Sequence, residues 1–162
     1  MGLETSSKRY AKALIGYGVE KDNLDILFSE FSSLIETLED SEDLVSFIQN
    51  PTISKDIKQK VLDELISDNL PNTSIVINLL SQNNRLDMLL DVCKGFIKQY
   101  NVHKDIVEVI VTTPIEISED IENSIQAYLN SIENGKIKLV KKRDESLIAG
   151  FTIDYNNIRS VS

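Results

Sequence analysis

The chain has 162 residues, of which 41% are hydrophobic and 27% are charged, the ordinary balance of a globular protein with one domain or two small ones. Its 17 Lys and Arg residues against 26 Asp and Glu residues give a formal net charge of −9, which argues against nucleic acid or an anionic membrane surface as direct partners. A single cysteine excludes an internal disulfide, and no apolar run reaches the roughly 18 residues needed to span a bilayer.

Amphipathic segments in the first part of the chain predict helices with short connections. The first segment, SSKRYAKALIGYG, begins after Ser6 or Ser7 as a cap and ends at Gly18. Its apolar stripe at helical spacing consists of Tyr10, Ala13, Leu14 and Tyr17. The second, NLDILFSEFSSLIETLED, has Asn23 as its cap, and the third, SEDLVSFIQNP, ends before Pro51.

Three more helical segments follow. In KDIKQKVLDELI, Ser54 is the expected cap, and the residues expected to face inward are Ile57, Val61, Leu62 and Leu65. TSIVINLLSQ is apolar on most sides, and NRLDMLLDVCKGFIKQY carries Cys93 on its inward stripe. Together the segments predict an N-terminal six-helix bundle over residues 1–104.

The hydrophobic period changes after residue 104. DIVEVIVTT is rich in β-branched residues on both faces, which predicts an inner strand. Ser118 caps a helix, EDIENSIQAYLNSI, whose expected inward residues are Ile121, Ile125, Leu129 and Ile132. KIKLVKK and SLIAGFTIDY predict two more strands. The order strand, helix, strand, strand indicates a small mixed sheet with a helix on one face, so the whole chain is predicted to be α+β.

Gly150 lies inside the last apolar run and has two readings. A glycine within a strand marks a bulge or a close backbone approach, and Asp144, Glu145 and Ser146 are turn formers, so a tight hairpin is one reading. A phosphate-binding loop is the other, and it lacks the required G-x-x-x-x-G-K-[ST] pattern and a following helix.

Residues that carry catalysis are few. His103 is the single histidine and Cys93 the single cysteine, and neither belongs to a nucleophile, metal or phosphate motif. We therefore expect no cofactor, no metal and no enzymatic activity.

Four segments in this order resemble one family: RYAKAL at 9–14, NPTIS at 50–54, LLSQNNRLDMLLDVCKGFIKQYN at 79–101 and DESLIAGF at 144–151. The chain resembles the delta subunit of F-type ATP synthases, which is related to the mitochondrial oligomycin-sensitivity-conferring protein. The resemblance covers nearly the whole chain. It departs from the family at Arg143, where an aliphatic residue or threonine is usual.

The resemblance implies a mechanical role in the stator rather than catalysis. Such a subunit ties the catalytic head to the peripheral stalk, so that the head does not turn during proton-driven ATP synthesis. It implies a groove for the amphipathic N-terminal helix of an alpha subunit, formed by the first and fifth helices. The residues carried over to that groove are Tyr10, Ala13, Leu14, Tyr17, Ile75, Val76 and Leu79. The alternative is that all seven belong to the core of the bundle.

The second implied partner is the b subunit of the stalk, bound through the C-terminal domain at 105–162. The family pattern continues into a further strand region and a C-terminal helix, whereas the sequence ends at NNIRSVS. We therefore expect a naturally short, truncated or altered C-terminus, and the resemblance supports the stalk contact less than the groove. Membrane association is then indirect, through the complex, on the cytoplasmic side of a bacterial membrane or its organellar equivalent.

Two rival hypotheses remain open at this stage. The first is a helical adaptor outside ATP synthase that binds another amphipathic helix in the same groove. The second is a small enzyme with a site between the two domains, which would require a cleft that gathers perturbed titratable groups.

Overall fold

A computed structural model of the chain describes residues 3–66, 69–132, 136–146 and 152–156. The chain divides into two compact units, Met1–Tyr100 and Asn101–Ser162; the sequence predicts this boundary at residue 104. The described part of the first unit is helical, and the second contains a helix and a sheet. The fold class is α+β, as predicted.

The described part of the helical unit contains six α-helices and a short 3-10 turn. The helices are α1 (Leu3–Lys21), α2 (Leu24–Glu39), α3 (Glu42–Gln49), α4 (Lys55–Ile66), α5 (Thr73–Gln82) and α6 (Leu89–His103). The 3-10 turn, Leu86–Met88, comes directly before α6, so the sixth α-helix begins later than its sequence pattern indicates. The Ser54 hydroxyl accepts a hydrogen bond from the Ile57 N–H, which confirms the predicted cap of α4.

Helix α1 is longer at both ends than the sequence indicates. It begins before the predicted caps Ser6 and Ser7 and continues past Gly18. Gly18 does not end the helix but allows α2 to pack closely against it, because a Cβ at this position would lie only 2.7 Å from Leu24 Cδ1.

The end of α1 is a Schellman motif centred on Asp22, which has φ 55°. The Asp22 N–H donates to the Val19 carbonyl, and the Asn23 N–H donates to the Gly18 carbonyl. Asn23 stands at the predicted cap position of α2, but its side chain makes no capping hydrogen bond. Backbone hydrogen bonds therefore define this corner.

Aromatic side chains join α2 to α6 in the core. Phe31 and Phe96 pack edge to face with ring centroids 4.7 Å apart, and Phe28 stacks on Tyr100 at 4.2 Å. The Tyr100 hydroxyl donates to Asp25 Oδ1 at 2.6 Å. Ring packing therefore joins the two helices, and a polar contact adds to it.

Helix α4 turns a different side inward than its pattern predicts. Lys58, Leu62 and Ile66 are buried, whereas Ile57 and Leu65 are each 55% exposed. The prediction that Ile57 and Leu65 face inward is wrong. Because α4 packs mainly against α5, only one side of its wide apolar arc is covered.

The second unit places three described strands and one helix in the predicted order. They are β1 (Ile106–Thr113), α7 (Glu119–Ile132), β2 (Lys136–Arg143) and β3 (Thr152–Asn156). The strand order is β2-β1-β3, with β2 parallel and β3 antiparallel to β1, which confirms a mixed sheet with β1 as its inner strand. The Ser118 hydroxyl accepts from the Ile121 N–H, as predicted for the cap of α7.

Strands β2 and β3 do not form the predicted hairpin, because each pairs with β1 at a different edge. Closeness in sequence favours a hairpin, but pairing at both edges satisfies the backbone N–H and C=O groups of the buried β1. Val109 pairs with Leu139 in β2 and with Tyr155 in β3. Asp144 does form a turn, since its carboxylate accepts from the Ser146 N–H and hydroxyl. Gly150 lies outside the described residues.

One face of the sheet packs under α7. The buried cluster and the half-buried residues beside it are Val107, Val109, Val111, Leu129, Ile125, Ile137 and Leu139. Ile121 is 51% exposed, so the prediction that it faces inward is wrong; it lies eight residues before Leu129, which is about 80° around the helix axis. The side chain of Ile132 lies outside the described part.

Candidate partner-binding groove

Helix α1 carries two distinct stripes. The buried stripe consists of Ser7, Ala11, Leu14 and Gly18. It lies closely against α6, since a Cβ on Gly95 would be 3.3 Å from Ala11 Cβ. The second stripe is offset by one residue, about 100° around the axis, and consists of Ser6, Tyr10, Ala13 and Tyr17. This second stripe is only partly covered.

Helix α5 likewise has a buried side and an open side. Its buried apolar residues are Val76, Ile77 and Leu80. Ile75 and Leu79 are half-buried, and Asn83, which follows in the same i, i+4 row, is exposed. The open row of α5 therefore changes from apolar to polar towards its C-terminal end.

Polar contacts from neighbouring helices fix α5 in place. The Glu30 carboxylate of α2 accepts hydrogen bonds from the backbone N–H groups of Asn72 at 2.6 Å and Thr73 at 3.2 Å. It therefore caps the first turn of α5 from outside the helix. Gln59 of α4 accepts a 2.6 Å hydrogen bond from the Ser81 hydroxyl. Helix α5 is held at its start and near its end.

A depression of about 430 Å³ opens between α1 and the C-terminal end of α5. Both helices pack against α2, while in the described residues their own backbones make little direct contact. The lining residues are Ser6, Arg9, Tyr10, Ala13, Leu79, Asn83 and Arg85. We call this depression the α1–α5 groove.

Three of the seven predicted groove residues, Tyr10, Ala13 and Leu79, line the α1–α5 groove. Tyr17 and Ile75 lie on the same helical rows and are half-buried, but they are not among its lining residues.

Leu14 and Val76 are core residues. Leu14 is 2% exposed and Val76 is 0% exposed, so neither side chain is available to a partner on this surface. A single apolar stripe on α1 does not distinguish Leu14, which turns inward, from its neighbour Ala13, which turns outward.

Sequence reasoning missed the polar lining of the groove, which includes Arg9 and Arg85. Arg9 is exposed, and the Arg85 Nε lies 3.6 Å from Asp87 Oδ1, a long contact that involves one of the five guanidinium N–H donors. The sequence does contain a signal for these two residues in the groove. Arg9 directly precedes the predicted groove residue Tyr10, and Arg85 directly follows the turn that ends α5. Two positive charges therefore line a groove of mixed apolar and polar character on a chain of net charge −9.

The groove offers shape and charge rather than reactive groups. In the described part of the chain, no three His, Cys, Asp or Glu side chains are grouped so as to hold a metal ion. Burial raises the pKa of the Cys93 thiol to about 12, so this side chain is not a nucleophile at neutral pH. None of the described helices is long and apolar enough to cross a membrane.

Comparison with known proteins gives a consistent result. Residues 7–158 match the family described as ATP synthase delta (OSCP) subunit. The ATP synthase subunit delta of Prochlorococcus marinus (strain MIT 9215) is 29% identical over 152 residues, covering 92% of this chain and 84% of that protein. The ATP synthase subunit delta of Cytophaga hutchinsonii is 29% identical over 146 residues, covering 90% of this chain and 80% of that protein.

A solved structure has a similar fold. A chain in the cryo-EM structure of the Toxoplasma gondii mitochondrial ATP synthase hexamer has a TM-score of 0.71 to this chain, with 24% sequence identity. The similarity covers 91% of this chain and 83% of that one. At this level of identity the likeness establishes the fold alone.

Proposed function

The chain belongs to the ATP synthase delta (OSCP) subunit family, and on that premise we propose that it is a stator subunit tethering the catalytic head of the enzyme to its peripheral stalk. In this role the six helices α1–α6 form one bundle that grips the head, and the second unit faces the stalk. The observation that carries the proposal is the α1–α5 groove, an open surface where Tyr10, Ala13 and Leu79 are bordered by polar and positively charged residues.

The groove fits an amphipathic helix. Tyr10 and Leu79 supply apolar contact surface from opposite walls, and the small Ala13 leaves room for the backbone of a partner to approach. Helices bind such grooves through side chains at i, i+3, i+4 and i+7. We assign the N-terminal helix of an alpha subunit to this groove. Tyr17, one turn after Ala13 on α1, and Ile75, one turn before Leu79 on α5, are further contacts.

Charge adds a requirement on the partner. Arg9 and Arg85 line the groove. A helix bound over them removes water from the two guanidinium groups, and an ion pair with a carboxylate of that helix offsets this cost. We therefore expect the bound helix to carry an acidic side chain beside its apolar stripe. Such complementarity contributes to specificity and to the rate of association.

The second unit has its own exposed apolar residues. Ile121 and Tyr128 of α7 are 51% and 61% exposed, and Ile115, which precedes the helix, is 68% exposed. Ile121 and Tyr128 are seven residues apart and therefore lie on one side of α7. We assign this side of α7 to the contact with the b subunit of the stalk.

The proposed role is mechanical, and the subunit contributes no catalytic group. Attachment to the membrane is indirect, through the complex, on the cytoplasmic side of the cell membrane or its organellar equivalent. The stator must resist torque. The hydrogen bonds from the first turn of α5 to the Glu30 carboxylate of α2 support this role, because they hold one wall of the groove against a neighbouring helix.

The test is co-purification of the full chain with isolated alpha subunit and isolated b subunit, each in a separate experiment. The proposal predicts that both subunits are retained by the unmodified chain. Ala13→Trp should abolish retention of the alpha subunit and leave that of the b subunit unchanged. Tyr128→Ala should weaken retention of the b subunit and leave that of the alpha subunit unchanged. If unrelated amphipathic helices bind the groove as tightly as the alpha-subunit helix, the chain is a general helical adaptor. If both variants still retain both subunits as well as the unmodified chain does, the assigned surfaces are wrong.

A further inference from the structure

A second depression, of about 290 Å³, lies on the helical unit where the connection between α3 and α4 meets the turn after α5. Its lining residues are Gln49, Pro51, Ile53, Lys55, Lys58, Asn84, Arg85, Leu86 and Asp87. We call it the Lys58 pocket. It lies where the segment NPTIS at 50–54 meets the segment NNR at 83–85. Among the residues of these two segments, only Asn83 and Arg85 line the α1–α5 groove.

Lys58 is the unusual member of this set, because it is only 7% exposed. Lysine is almost never buried unless its charge is paired. Its ammonium has neither a hydrogen bond nor an ion pair with another residue of the described chain. It is also not sealed from solvent, since the one fully buried side-chain atom without a partner among the described residues is Asn23 Oδ1. Lys58 is therefore a mostly buried lysine that lines the pocket and whose charge no residue of the described chain neutralises.

The other charged groups leave the pocket electropositive. Lys55 and Arg85 contribute two further positive charges, and Asp87 is the single carboxylate among the lining residues. Asp87 is already in contact with Arg85 at 3.6 Å and does not reach Lys58. Gln49 and Asn84 add side-chain amides, which can donate hydrogen bonds. On a chain of net charge −9, such a local excess of positive charge favours an anion.

We propose that the Lys58 pocket binds a small tetrahedral oxyanion, namely inorganic phosphate or the phosphate group of a small phosphate ester. Lys58 supplies a point charge, and Arg85 supplies a planar set of N–H donors that matches phosphate oxygens. The volume of about 290 Å³ is just below the usual range for ligand sites, roughly 300–1,000 Å³, which favours a small ligand.

Lys58 is the residue to change, because Arg85 also lines the α1–α5 groove and its loss would affect both sites. Lys58→Met keeps the buried stem and removes the charge. Lys60→Met is the matched control, since Lys60 is an exposed lysine on the same helix. Lys55→Gln is a second test variant at an exposed position that does not depend on tolerance of a change in the core.

The experiment is isothermal titration of inorganic phosphate into the full chain, with the ionic strength kept constant by NaCl. We expect one saturable site, weakened about tenfold or more by Lys58→Met and weakened by Lys55→Gln, because a hydrogen bond to a charged group is lost. Lys60→Met retains the affinity. Titration with glycerol 3-phosphate in parallel distinguishes the sources: tighter binding than phosphate identifies an ester as the ligand, and weaker binding identifies the free ion.

A second measurement covers any variant that folds less well. Phosphate raises the melting temperature of the unmodified chain and of Lys60→Met but not that of Lys58→Met. Absence of saturable phosphate binding by the unmodified chain overturns the proposal, as does an equal loss of affinity in Lys58→Met and Lys60→Met. Neither result bears on the α1–α5 groove, which lacks Lys58.

Discussion

Gly18→Ala tests the close packing of α1 against α2. A Cβ at this position would lie 2.7 Å from Leu24 Cδ1 and 3.2 Å from both Leu24 Cα and Leu27 Cδ1. The Leu24 methyl group can move, but its Cα moves only if the corner between the helices opens. Overpacking of this kind costs about 1–3 kcal/mol, and the better helix propensity of alanine returns about 1 kcal/mol. We expect a net loss of up to about 2 kcal/mol in the free energy of unfolding.

Gly16→Ala is the matched control on the same helix. Gly16 is exposed, and a Cβ there would meet no atom within 4 Å. Alanine should therefore stabilise the chain by about 0.5–1 kcal/mol, because glycine loses more backbone entropy on folding. The difference between the two variants isolates the cost of the contact with α2.

Urea unfolding followed by circular dichroism at 222 nm measures both variants. The expected order of the unfolding midpoints is Gly16→Ala above the unmodified chain and Gly18→Ala below Gly16→Ala. If Gly18→Ala stabilises the chain as much as Gly16→Ala does, then α1 and α2 do not approach as closely as described, and the explanation of Gly18 is wrong.

Three further outcomes are expected. Glu30→Ala leaves the first turn of α5 without its carboxylate acceptor and should lower the free energy of unfolding by about 1–2 kcal/mol. The control Glu36→Ala, at an exposed position on α2, should change it by less than about 0.5 kcal/mol. Equal effects of the two variants in urea unfolding would contradict the cap. Burial, with the hydrogen bond to Asp25 second, raises the pKa of Tyr100 from 10.0 to about 12. The folded state therefore holds this proton more tightly than the unfolded state, and the resulting stability is complete below pH 10 and lost as the pH rises towards 12. Tyr100→Phe should weaken this alkaline loss in unfolding curves at pH 8 and pH 11, and an unchanged dependence would argue against the assignment. Cys93 is fully buried with its pKa raised to about 12, so a thiol reagent at pH 8 should react only in urea; immediate reaction of the native chain would show that the site is open.

The sequence predicts best the features that depend on local chemistry. Ser54 and Ser118 act as caps because a hydroxyl before a helix satisfies a free N–H wherever the helix then packs. Strand β1 is predicted as an inner strand from its own run of β-branched, largely apolar residues, and the strand order β2-β1-β3 confirms it.

The errors arise where a residue has more than one use. Glycine both ends helices and allows close packing, and at Gly18 the second use applies, a fact that depends on the position of Leu24. Ile57 and Leu65 belong to an apolar arc, but only the placement of α5 decides which part of that arc is covered. Sequence proximity favours a hairpin between β2 and β3, whereas the observed pairing of each strand with β1 depends on contacts between residues distant in the chain.

The candidate groove was predicted in outline. The α1 and α5 rows that contain Tyr10, Ala13 and Leu79 follow from helical spacing and family resemblance, but a stripe of apolar residues does not show which members the core uses. The predicted set therefore contains Leu14 and Val76, which belong to the core. The predicted set lacks Arg9 and Arg85, because charged residues are usually solvated on a surface, and their position in the α1–α5 groove is a property of the tertiary structure.

The most direct test of the central claim is the affinity of the full chain for a synthetic peptide of the alpha-subunit N-terminal helix. Ala13→Trp fills the α1–α5 groove, and Lys12→Trp places the same side chain on an exposed position about 100° away on α1. A helix seated in the groove predicts that Ala13→Trp weakens binding by about tenfold or more, while Lys12→Trp leaves it near that of the unmodified chain. Equal affinity in both variants, or greater loss with Lys12→Trp, would show that the alpha-subunit helix binds elsewhere.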